Sequence, residues 1–337
     1  MVIAGPCSVE SCGQLEAVVL QLKDDSRIAM IRCGVWKPRT RPGGFEGLGT
    51  KALRWIAELK GRYAQLHFCC EVARPEHVEQ VLACGAVDAV WIGARTTVNP
   101  FLVGELAEAL RGSALPVLVK NPVTPDVELW VGAIERLRNA GLDDVAAVHR
   151  GFETFDNRGY RNNPLWEIPI ELKRRMPELM LLCDPSHIGG QRQLVADLSQ
   201  HALDLHYDGL MVECHADPDA ALTDGPQQLT PEALMQMLDG LRVRRHDVSG
   251  SDELRRLREQ LDGIDYHLLD LLGQRMRIAA RIGEIKHGLN MPYFQPQRWQ
   301  QVLERQLENA ARMGLDEAFV RELMEKIHAE SLRQQNE

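Results

Sequence analysis

Six cationic side chains follow short apolar segments in the first 150 residues. They stand in the segments RCGVWKPRT, IGAR, KNP and HRG, as Arg32, Lys37, Arg39, Arg95, Lys120 and Arg150. One such cation is usually solvated or paired with a nearby carboxylate. Six of them on one surface would instead require a ligand with several negative charges, and phosphate and carboxylate groups are the usual ligands of this kind. If the fold brings these segments together, we expect a small anionic substrate.

Four further side chains have the chemistry of a metal site. Cys7 lies in GPCS, His187 in DPSH and Glu213 in ECH, and Asp224 follows a few residues later. A thiolate, an imidazole and two carboxylates suit Mn²⁺, Fe²⁺, Co²⁺ or Zn²⁺. Taken alone, Cys7 is more often a small buried hydrophobic residue and His187 a packed or capping residue. His215, close to Glu213, is an alternative ligand that we rank below these four.

The elements that must position these residues follow a regular order. Short apolar runs followed by polar, glycine-containing turns predict eight strands, at 2–4, 28–33, 66–70, 87–92, 116–120, 145–149, 179–183 and 209–214. Helix-like stretches separate them, so the pattern predicts a (β/α)₈ barrel over residues 1–245, with a doubly wound sheet as the alternative. In such a barrel the loops after the strands share one face, so the cations and the candidate metal ligands should converge there.

The sequence changes character near residues 243–251. We expect a linker at 246–251 and an all-helical domain at 252–337, with a first helix from Ser251 that breaks at Gly288 and two shorter helices, at 295–313 and from 316 to the end. The first helix would be about 54 Å long, too long for so small a domain to cover, so a partner helix is implied. Its apolar stripe, expected to be buried, is Leu254, Leu257, Leu261, Ile264, Leu268, Leu271, Ile278, Ile282 and Ile285.

Two charges interrupt the helical pattern. Arg275 and Lys286 lie on or beside the apolar stripe, so they should either meet anionic partners or extend along their stems to solvent. Arg258 is turned about 100° from Arg275 and lies roughly 25 Å along the helix, so these two should not serve one pocket within one chain.

Composition excludes several classes of protein. The 337 residues carry a net charge of −9, which disfavours a nucleic-acid partner, and no apolar run is long enough for a membrane helix. The first residues lack the regions of a secretory signal, and the eight cysteines form no CxxC pair, so we expect a cytoplasmic protein with reduced thiols.

The motifs GPCS, KPRT, IGAR, DPSH and ECH, in this order along residues 5–215, resemble those of the metal-dependent 3-deoxy-D-arabino-heptulosonate 7-phosphate (DAHP) synthases. The resemblance implies that Arg32, Lys37, Arg95, Lys120 and Arg150 hold phosphoenolpyruvate, and that Lys37, Pro38, Arg39 and Thr40 hold erythrose 4-phosphate. It also implies that Cys7, His187, Glu213 and Asp224 bind the metal. Lys120 is the expected proton donor, and Asp184 is expected to orient His187. Relatives that make an eight-carbon sugar acid lack KPRT, which argues against that product.

The segment LREQLDGIDYHLLDLLGQR, followed by GEIK, a PxxxxxR segment and SLRQQ, resembles the all-helical chorismate mutases, which are intertwined homodimers with three helices per chain. The resemblance implies that Arg275, Lys286 and Arg298 of one subunit, with Arg258 of the other, bind the carboxylates of chorismate. Lys286 and Gln335 would bind the ether oxygen as the catalytic pair, and Ser331 would line the pocket.

This helical segment departs from the family pattern at two positions. Trp299 stands where a glutamate usually meets the substrate hydroxyl, and Gln295 stands in place of an aspartate. The tail is therefore either an active mutase or a dimerisation module that senses chorismate or prephenate without converting it. In both cases we expect prephenate to inhibit the synthase by occupying this pocket.

Overall fold

The structure is a computed structural model that describes residues 1–38, 43–157, 159–244 and 252–336. Residue contacts divide the chain into two compact units, Met1–His246 and Asp247–Glu337. Arg39, Thr40 and the expected linker at 246–251 lie outside the described residues.

Eight parallel strands close into a barrel in the first unit, and each strand pairs with the next along the chain until β8 meets β1. This confirms the predicted (β/α)₈ barrel and excludes the doubly wound sheet. The strands are β1 Val2–Gly5, β2 Ile28–Cys33, β3 Phe68–Val72, β4 Ala89–Ile92, β5 Val117–Lys120, β6 Val145–His149, β7 Met180–Cys183 and β8 Gly209–Glu213.

Two strands begin two residues later than the apolar runs predict. Leu66 and Val87 are buried, but they lie before β3 and β4 in turns that complete the core. Asp88 accepts a hydrogen bond from the Phe68 amide at the start of β3, at 2.8 Å. Burial of a turn residue is therefore not evidence that the residue belongs to the strand.

Ten helices cover the barrel among its described residues: α1 Cys12–Leu22, α2 Thr50–Arg62, α3 Pro75–Cys84, α4 Ala94–Thr97, α5 Pro100–Leu110, α6 Val127–Asn139, α7 Glu167–Arg175, α8 Pro185–Gly189, α9 Val195–Asp204 and α10 Pro231–Gly240. Side-chain caps define several of their starts, because the first backbone amides of a helix have no partner within the helix. Ser11 caps α1, Asn99 caps α5, Asp126 caps α6 and Thr230 caps α10.

The interior of the barrel is a packed core. Alternate strand residues point inward, and the inner cluster comprises Ile3, Cys69, Ala89, Trp91, Leu118, Ala146, Val148, Leu182 and Met211. The guanidinium carbon of Arg32 lies 5.2 Å from the centre of the Trp91 ring, and the Lys120 ammonium lies 5.8 Å from it. The apolar core therefore ends at a layer of cations.

The second unit contains three helices: α11 Asp252–Gly288, α12 Pro296–Met313 and α13 Glu317–Asn336. α12 ends at Gly314, whose φ of 71° is the left-handed conformation that suits glycine at a helix end. These helices confirm the predicted all-helical region within one or two residues at each described boundary.

The predicted apolar stripe of α11 is exposed in the single chain. Its exposed members are Leu257, Leu261, Ile264, Leu268, Leu271, Ile278, Ile282 and Ile285. Ala279, which lies on the same side of the helix as Leu261 and Leu268, is buried. α13 therefore covers only part of α11, and the large side chains of the stripe stay exposed. None of the helices described is both long and apolar enough to cross a membrane.

Candidate active sites

A cavity of about 560 Å³ opens at the carboxyl ends of the barrel strands. Its lining is mostly charged and polar, which suits a small anionic ligand rather than an apolar one. The lining residues are Lys37, Pro38, Gly43, Gly44, Phe45, Glu71, Arg95, Arg150, Arg161, His187, Leu222, Thr223 and Asp224.

A thiol and two carboxylates meet at the base of this region. Donor atoms of Cys7, Glu213 and Asp224 all lie within 4.8 Å of one another, and the Cys7 thiol donates a hydrogen bond of 3.2 Å to Asp224. Cys7 follows β1, Glu213 ends β8, and Asp224 lies in the next loop with a left-handed φ of 50°. Neighbouring strands of a closed barrel therefore bring together residues more than 200 positions apart in the sequence.

Glycine makes the close approach to Cys7 possible. A Cβ atom on Gly34 would lie 1.8 Å from the carbonyl oxygen of Cys7. Because no backbone tolerates that contact, only glycine allows the segment after β2 to pass Cys7 at this distance. The same segment brings the Lys37 ammonium to 3.1 Å from the Cys7 sulfur.

His187 lies beside the three clustered donors. Its Nε2 atom is 3.7 Å from Glu213 Oε1, and its Nδ1 atom is 2.8 Å from Asp184 Oδ2. Asp184 caps the short helix α8, accepting a hydrogen bond from the backbone amide of His187. The carboxylate that fixes the start of α8 thus also contacts the imidazole, as expected for a group that orients a metal-binding histidine.

The three clustered donors, with His187 beside them, have the chemistry that a divalent metal ion needs. Burial, together with Glu213, raises the pKa of the Cys7 thiol to about 12, so a cation must displace the thiol proton in order to bind sulfur. Burial opposes ionisation of Glu213, but His187 and Arg32 outweigh it and lower the pKa of that carboxyl. A mixed sulfur, nitrogen and oxygen set does not identify one metal.

Lys37 and Arg32 contact members of this donor set, and Lys120 contacts Asp184 beside it. Arg32, only 1% exposed, donates a hydrogen bond of 2.9 Å to Glu213, and Lys120 donates one of 2.7 Å to Asp184. The Nε and Nη1 atoms of Arg32 are buried without a hydrogen-bond partner. Buried guanidinium donors need an acceptor, and a bound anion would supply one. Burial lowers the pKa of Lys120 against the opposing effect of Asp184.

Arg95 and Arg150 are two further predicted cations, and both line the cavity. Arg150 is buried and donates a hydrogen bond of 2.8 Å to Asn162, and burial lowers its pKa to about 10. Arg95 lies exposed at the rim. The structure therefore brings together the five cations expected to bind phosphoenolpyruvate. Of the residues expected to bind erythrose 4-phosphate, it describes Lys37 and Pro38, both in the cavity wall.

Three polar residues of this site were not predicted from the sequence. Arg161 donates a hydrogen bond of 3.0 Å to Asp224 and another to Gln227. Gln227 in turn donates a hydrogen bond of 2.6 Å to Glu213. Gln228 accepts a hydrogen bond of 3.0 Å from the Cys7 amide. Because Arg161 lies on the loop after β6, it could have been predicted as a further cation at this face of the barrel. Nothing in the sequence distinguishes the two glutamines from surface residues.

The alternative ligand His215 points elsewhere. Its Nδ1 atom accepts a hydrogen bond of 3.0 Å from the Asp217 amide, and its Nε2 atom lies 3.8 Å from Glu10. Neither contact involves the donor cluster, so the structure favours the original set of four.

The helical unit gathers four of its six predicted site residues. Arg275 donates a hydrogen bond to Ser331, and Lys286 donates bonds of 3.2 Å to Gln335 and 2.6 Å to the Tyr293 carbonyl. These partners are a hydroxyl, an amide and a carbonyl rather than the expected anions. Both charges therefore point between α11 and α13 instead of extending to solvent, and they remain available to an anionic ligand.

Arg258 and Arg298 complete the predicted set but are exposed. Within the described chain, no hydrogen bond or ion pair joins either of them to the other four. Trp299, the departure from the family pattern, stacks on His328 with ring centres 4.0 Å apart and planes at 9°.

Comparisons with known proteins divide the chain at the same place. The sequence model of the DAHP synthetase I family matches residues 1–245, and that of chorismate mutase type II matches residues 257–336. A phospho-2-dehydro-3-deoxyheptonate aldolase of Thermotoga maritima is 31% identical over 241 residues, covering 72% of this chain and 68% of that protein.

Two further matches are a solved structure and a mutase. A T. maritima crystal structure titled as the same aldolase, or DAHP synthase, superposes with a TM-score of 0.63 at 28% identity, covering 77% of this chain and 69% of that one. A 4-amino-4-deoxychorismate mutase of Streptomyces pristinaespiralis is 39% identical over 89 residues, which are 26% of this chain and 69% of that protein.

Proposed function

We propose, because the chain belongs to the DAHP synthetase I family, that its barrel condenses phosphoenolpyruvate with erythrose 4-phosphate. The observation that carries this proposal is the unsatisfied guanidinium of Arg32, buried beside Lys120 at the thiol and carboxylate cluster. Such an arrangement suits an anionic substrate held directly against a metal site. The reaction yields DAHP, the product of the first step of the shikimate pathway.

The cations divide between the two substrates. Arg32, Lys37, Arg95, Lys120 and Arg150 would hold phosphoenolpyruvate. Lys37 and Pro38, with Arg39 and Thr40 outside the described residues, would hold erythrose 4-phosphate. Lys37 can serve both because it lies between the Cys7 sulfur and the open cavity.

Cys7, His187, Glu213 and Asp224 would hold the divalent metal, whether Mn²⁺, Fe²⁺, Co²⁺ or Zn²⁺. Such an ion, when bound, supplies a Lewis acid that polarises the aldehyde of the sugar phosphate. Asp184 would keep His187 in position, and Gln227 would fix the Glu213 carboxylate through their 2.6 Å hydrogen bond.

The protein's own groups account for the other requirements of the reaction. Carbon 3 of phosphoenolpyruvate attacks the aldehyde, water adds to carbon 2, and phosphate then leaves. Arg32 and Arg150 counter the negative charge of the phosphate and carboxylate groups, and they hold the reacting carbons together. Lys120 is the proton donor, since burial lowers its pKa and Asp184 holds its ammonium in place.

The helical unit would convert chorismate to prephenate as a homodimer. Arg275, Lys286 and Arg298 of one subunit, with Arg258 of a second copy, would bind the two carboxylates. The paired Lys286 and Gln335 would stabilise the ether oxygen as its bond breaks, beside Ser331. Trp299 favours the second candidate function, a dimerisation module that senses chorismate or prephenate without converting it.

Two assays on the purified protein test these activities. Consumption of phosphoenolpyruvate should require erythrose 4-phosphate and should not proceed with a five-carbon aldose phosphate; equal rates with both sugars would contradict the assignment. Loss of chorismate absorbance faster than the uncatalysed rate would support the mutase. If chorismate is lost only at the uncatalysed rate, the mutase is excluded and the sensing module remains as the function of the helical unit.

We further propose that prephenate inhibits the barrel through the helical pocket. If prephenate binds one state of the protein more tightly than another, it shifts the equilibrium toward that state and so changes the synthase rate. The synthase rate should therefore fall with added prephenate in the intact protein and stay constant in Arg275→Ala. Inhibition that survives Arg275→Ala would place the effector site elsewhere.

A further inference from the structure

His328 of α13 carries a polar atom that no group in the described part of the chain satisfies. Its Nε2 atom is buried and has no hydrogen-bond partner. The imidazole stacks on Trp299, and Phe294 lies 5.9 Å away at a tilt of 52°. Two aromatic side chains thus fix the plane of the ring, and the fixed ring leaves one nitrogen to be satisfied by a ligand or a water molecule.

The position of His328 along α13 places it with the mutase residues. His328, Ser331 and Gln335 are spaced three and seven residues apart, so they lie within about 60° of one another around the helix. Ser331 contacts Arg275 and Gln335 contacts Lys286, across the gap between α13 and α11. His328 therefore continues the same row of side chains toward Trp299.

Burial and two nearby cations favour the neutral form of the His328 imidazole. Burial lowers its pKa, and the nearby Arg275 and Lys286 lower it further. A neutral imidazole suits a hydroxyl group, because a hydroxyl can donate to or accept from Nε2 whichever ring nitrogen carries the proton.

We infer that His328, with its ring held by Trp299, binds the ring hydroxyl of chorismate and makes the mutase selective for it. This inference rests on the proposed mutase function. Chorismate offers two carboxylates, an ether oxygen and one hydroxyl. The arginines and Lys286 take the carboxylates, Lys286 and Gln335 take the ether oxygen, and the hydroxyl is the group left for Nε2.

Three variants test the inference on the full-length protein. His328→Leu removes the polar atom but keeps an apolar side chain, and His328→Gln restores an amide near the position of Nε2. His287→Leu is the matched control, because His287 is exposed at the end of α11. Each variant is assayed for kcat/KM with chorismate and with an analogue in which hydrogen replaces the ring hydroxyl, and its fold is checked by circular dichroism.

His328→Leu should lower kcat/KM for chorismate about tenfold to hundredfold, the usual effect of leaving a buried hydrogen-bonding group unpaired. It should change the rate with the deoxy analogue less than threefold, and His328→Gln should recover most of the chorismate rate. Equal losses with both substrates, or no loss with either, would overturn the role of His328 and leave the mutase proposal standing. If the wild-type protein converts neither substrate, the mutase proposal fails and this inference fails with it.

Discussion

Buried charge at the barrel mouth is compensated in pairs. Arg32 contacts Glu213, Lys120 contacts Asp184, and Lys37 contacts the Cys7 sulfur. Removing one partner of a buried pair leaves the other uncompensated, which costs far more than the pair contributes. Single substitutions here should therefore change metal and substrate binding together.

Substitution of Cys7 tests the metal set. Cys7→Ala removes the sulfur donor and leaves Glu213 and Asp224 in the cluster. Bound metal and synthase activity should both be lost, while mutase activity should persist. Metal content by mass spectrometry and the two activities provide the measurement. Cys12→Ala, at a partly exposed thiol of α1, is the control and should behave as wild type. Full metal content and activity in Cys7→Ala would show that the ligand set is wrong.

The buried His149 should make the stability of the barrel sensitive to acid. Its Nε2 atom lies 2.7 Å from the Pro164 carbonyl and its Nδ1 atom 3.0 Å from the Tyr207 hydroxyl. Burial lowers its pKa to about 3, so the folded barrel holds it neutral. Below about pH 6.5 the His149 imidazole takes up a proton in the unfolded chain but stays neutral in the folded barrel. The free energy of unfolding should therefore fall by about 1.4 kcal/mol per pH unit from this group alone.

Denaturant unfolding at pH 6.5 and 5.5, followed by barrel tryptophan fluorescence, measures this contribution. His149→Gln should have a flatter pH dependence than wild type in this interval, although it should be less stable at pH 7. The same change at exposed His201 is the control. An unchanged slope in His149→Gln would show that His149 is protonated in the folded barrel.

At the scale of the elements, α13 approaches α11 closely at a glycine. A Cβ atom on Gly283 would lie 2.4 Å from the carbonyl oxygen of Gln335 and 2.6 Å from its Cα atom. That close contact fixes the position along α11 at which Gln335 of α13 contacts Lys286. Gly273, on the same helix, has open space around its Cα hydrogen apart from the end of Arg277.

Gly283→Ala should push α13 away and lower both mutase activity and the stability of the helical unit, by about 1–3 kcal/mol for the overpacked site. Gly273→Ala should instead stabilise α11 by up to about 1 kcal/mol, because alanine is the better helix former. Thermal unfolding and chorismate turnover compare the two variants. Equal effects of the two changes would contradict the close approach seen at Gly283.

The sequence predicted elements better than contacts. Eight apolar runs were enough to predict the barrel, because each buried strand reads as a short apolar segment, and the motifs after those runs identified Cys7, His187 and Glu213. The starts of β3 and β4 were missed, since buried turn residues resemble strand residues. Gln227, Gln228 and the His328–Trp299 stack were also missed, because neutral polar and aromatic pairs depend on three-dimensional packing that leaves no periodic pattern.

At the scale of the whole molecule, the exposed apolar stripe of α11 supports the proposed homodimer. Eight large aliphatic side chains of one helix are each more than two-fifths exposed in the single chain. Contiguous apolar surface of this kind usually marks a protein interface. A second copy of the chain, paired along α11, would cover the stripe and supply Arg258.

Leu268→Glu should therefore split the homodimer and abolish mutase activity, because a charge on the stripe cannot be buried against a second copy. Tyr266→Glu is the control, since Tyr266 is also exposed but points away from the stripe. Light scattering after gel filtration gives the mass of each variant. A monomeric wild-type protein with full mutase activity would exclude the dimeric pocket.

The most direct experiment measures both activities of one preparation before and after treatment with a chelator. The proposed synthase site in the barrel would hold a metal ion, and the proposed mutase pocket of the helical unit would need none. Chelator should abolish phosphoenolpyruvate consumption, added divalent metal should restore it, and chorismate turnover should stay constant throughout. Synthase activity that resists exhaustive metal removal would contradict the metal site in the barrel, and mutase activity that disappears with the metal would contradict a metal-free helical pocket.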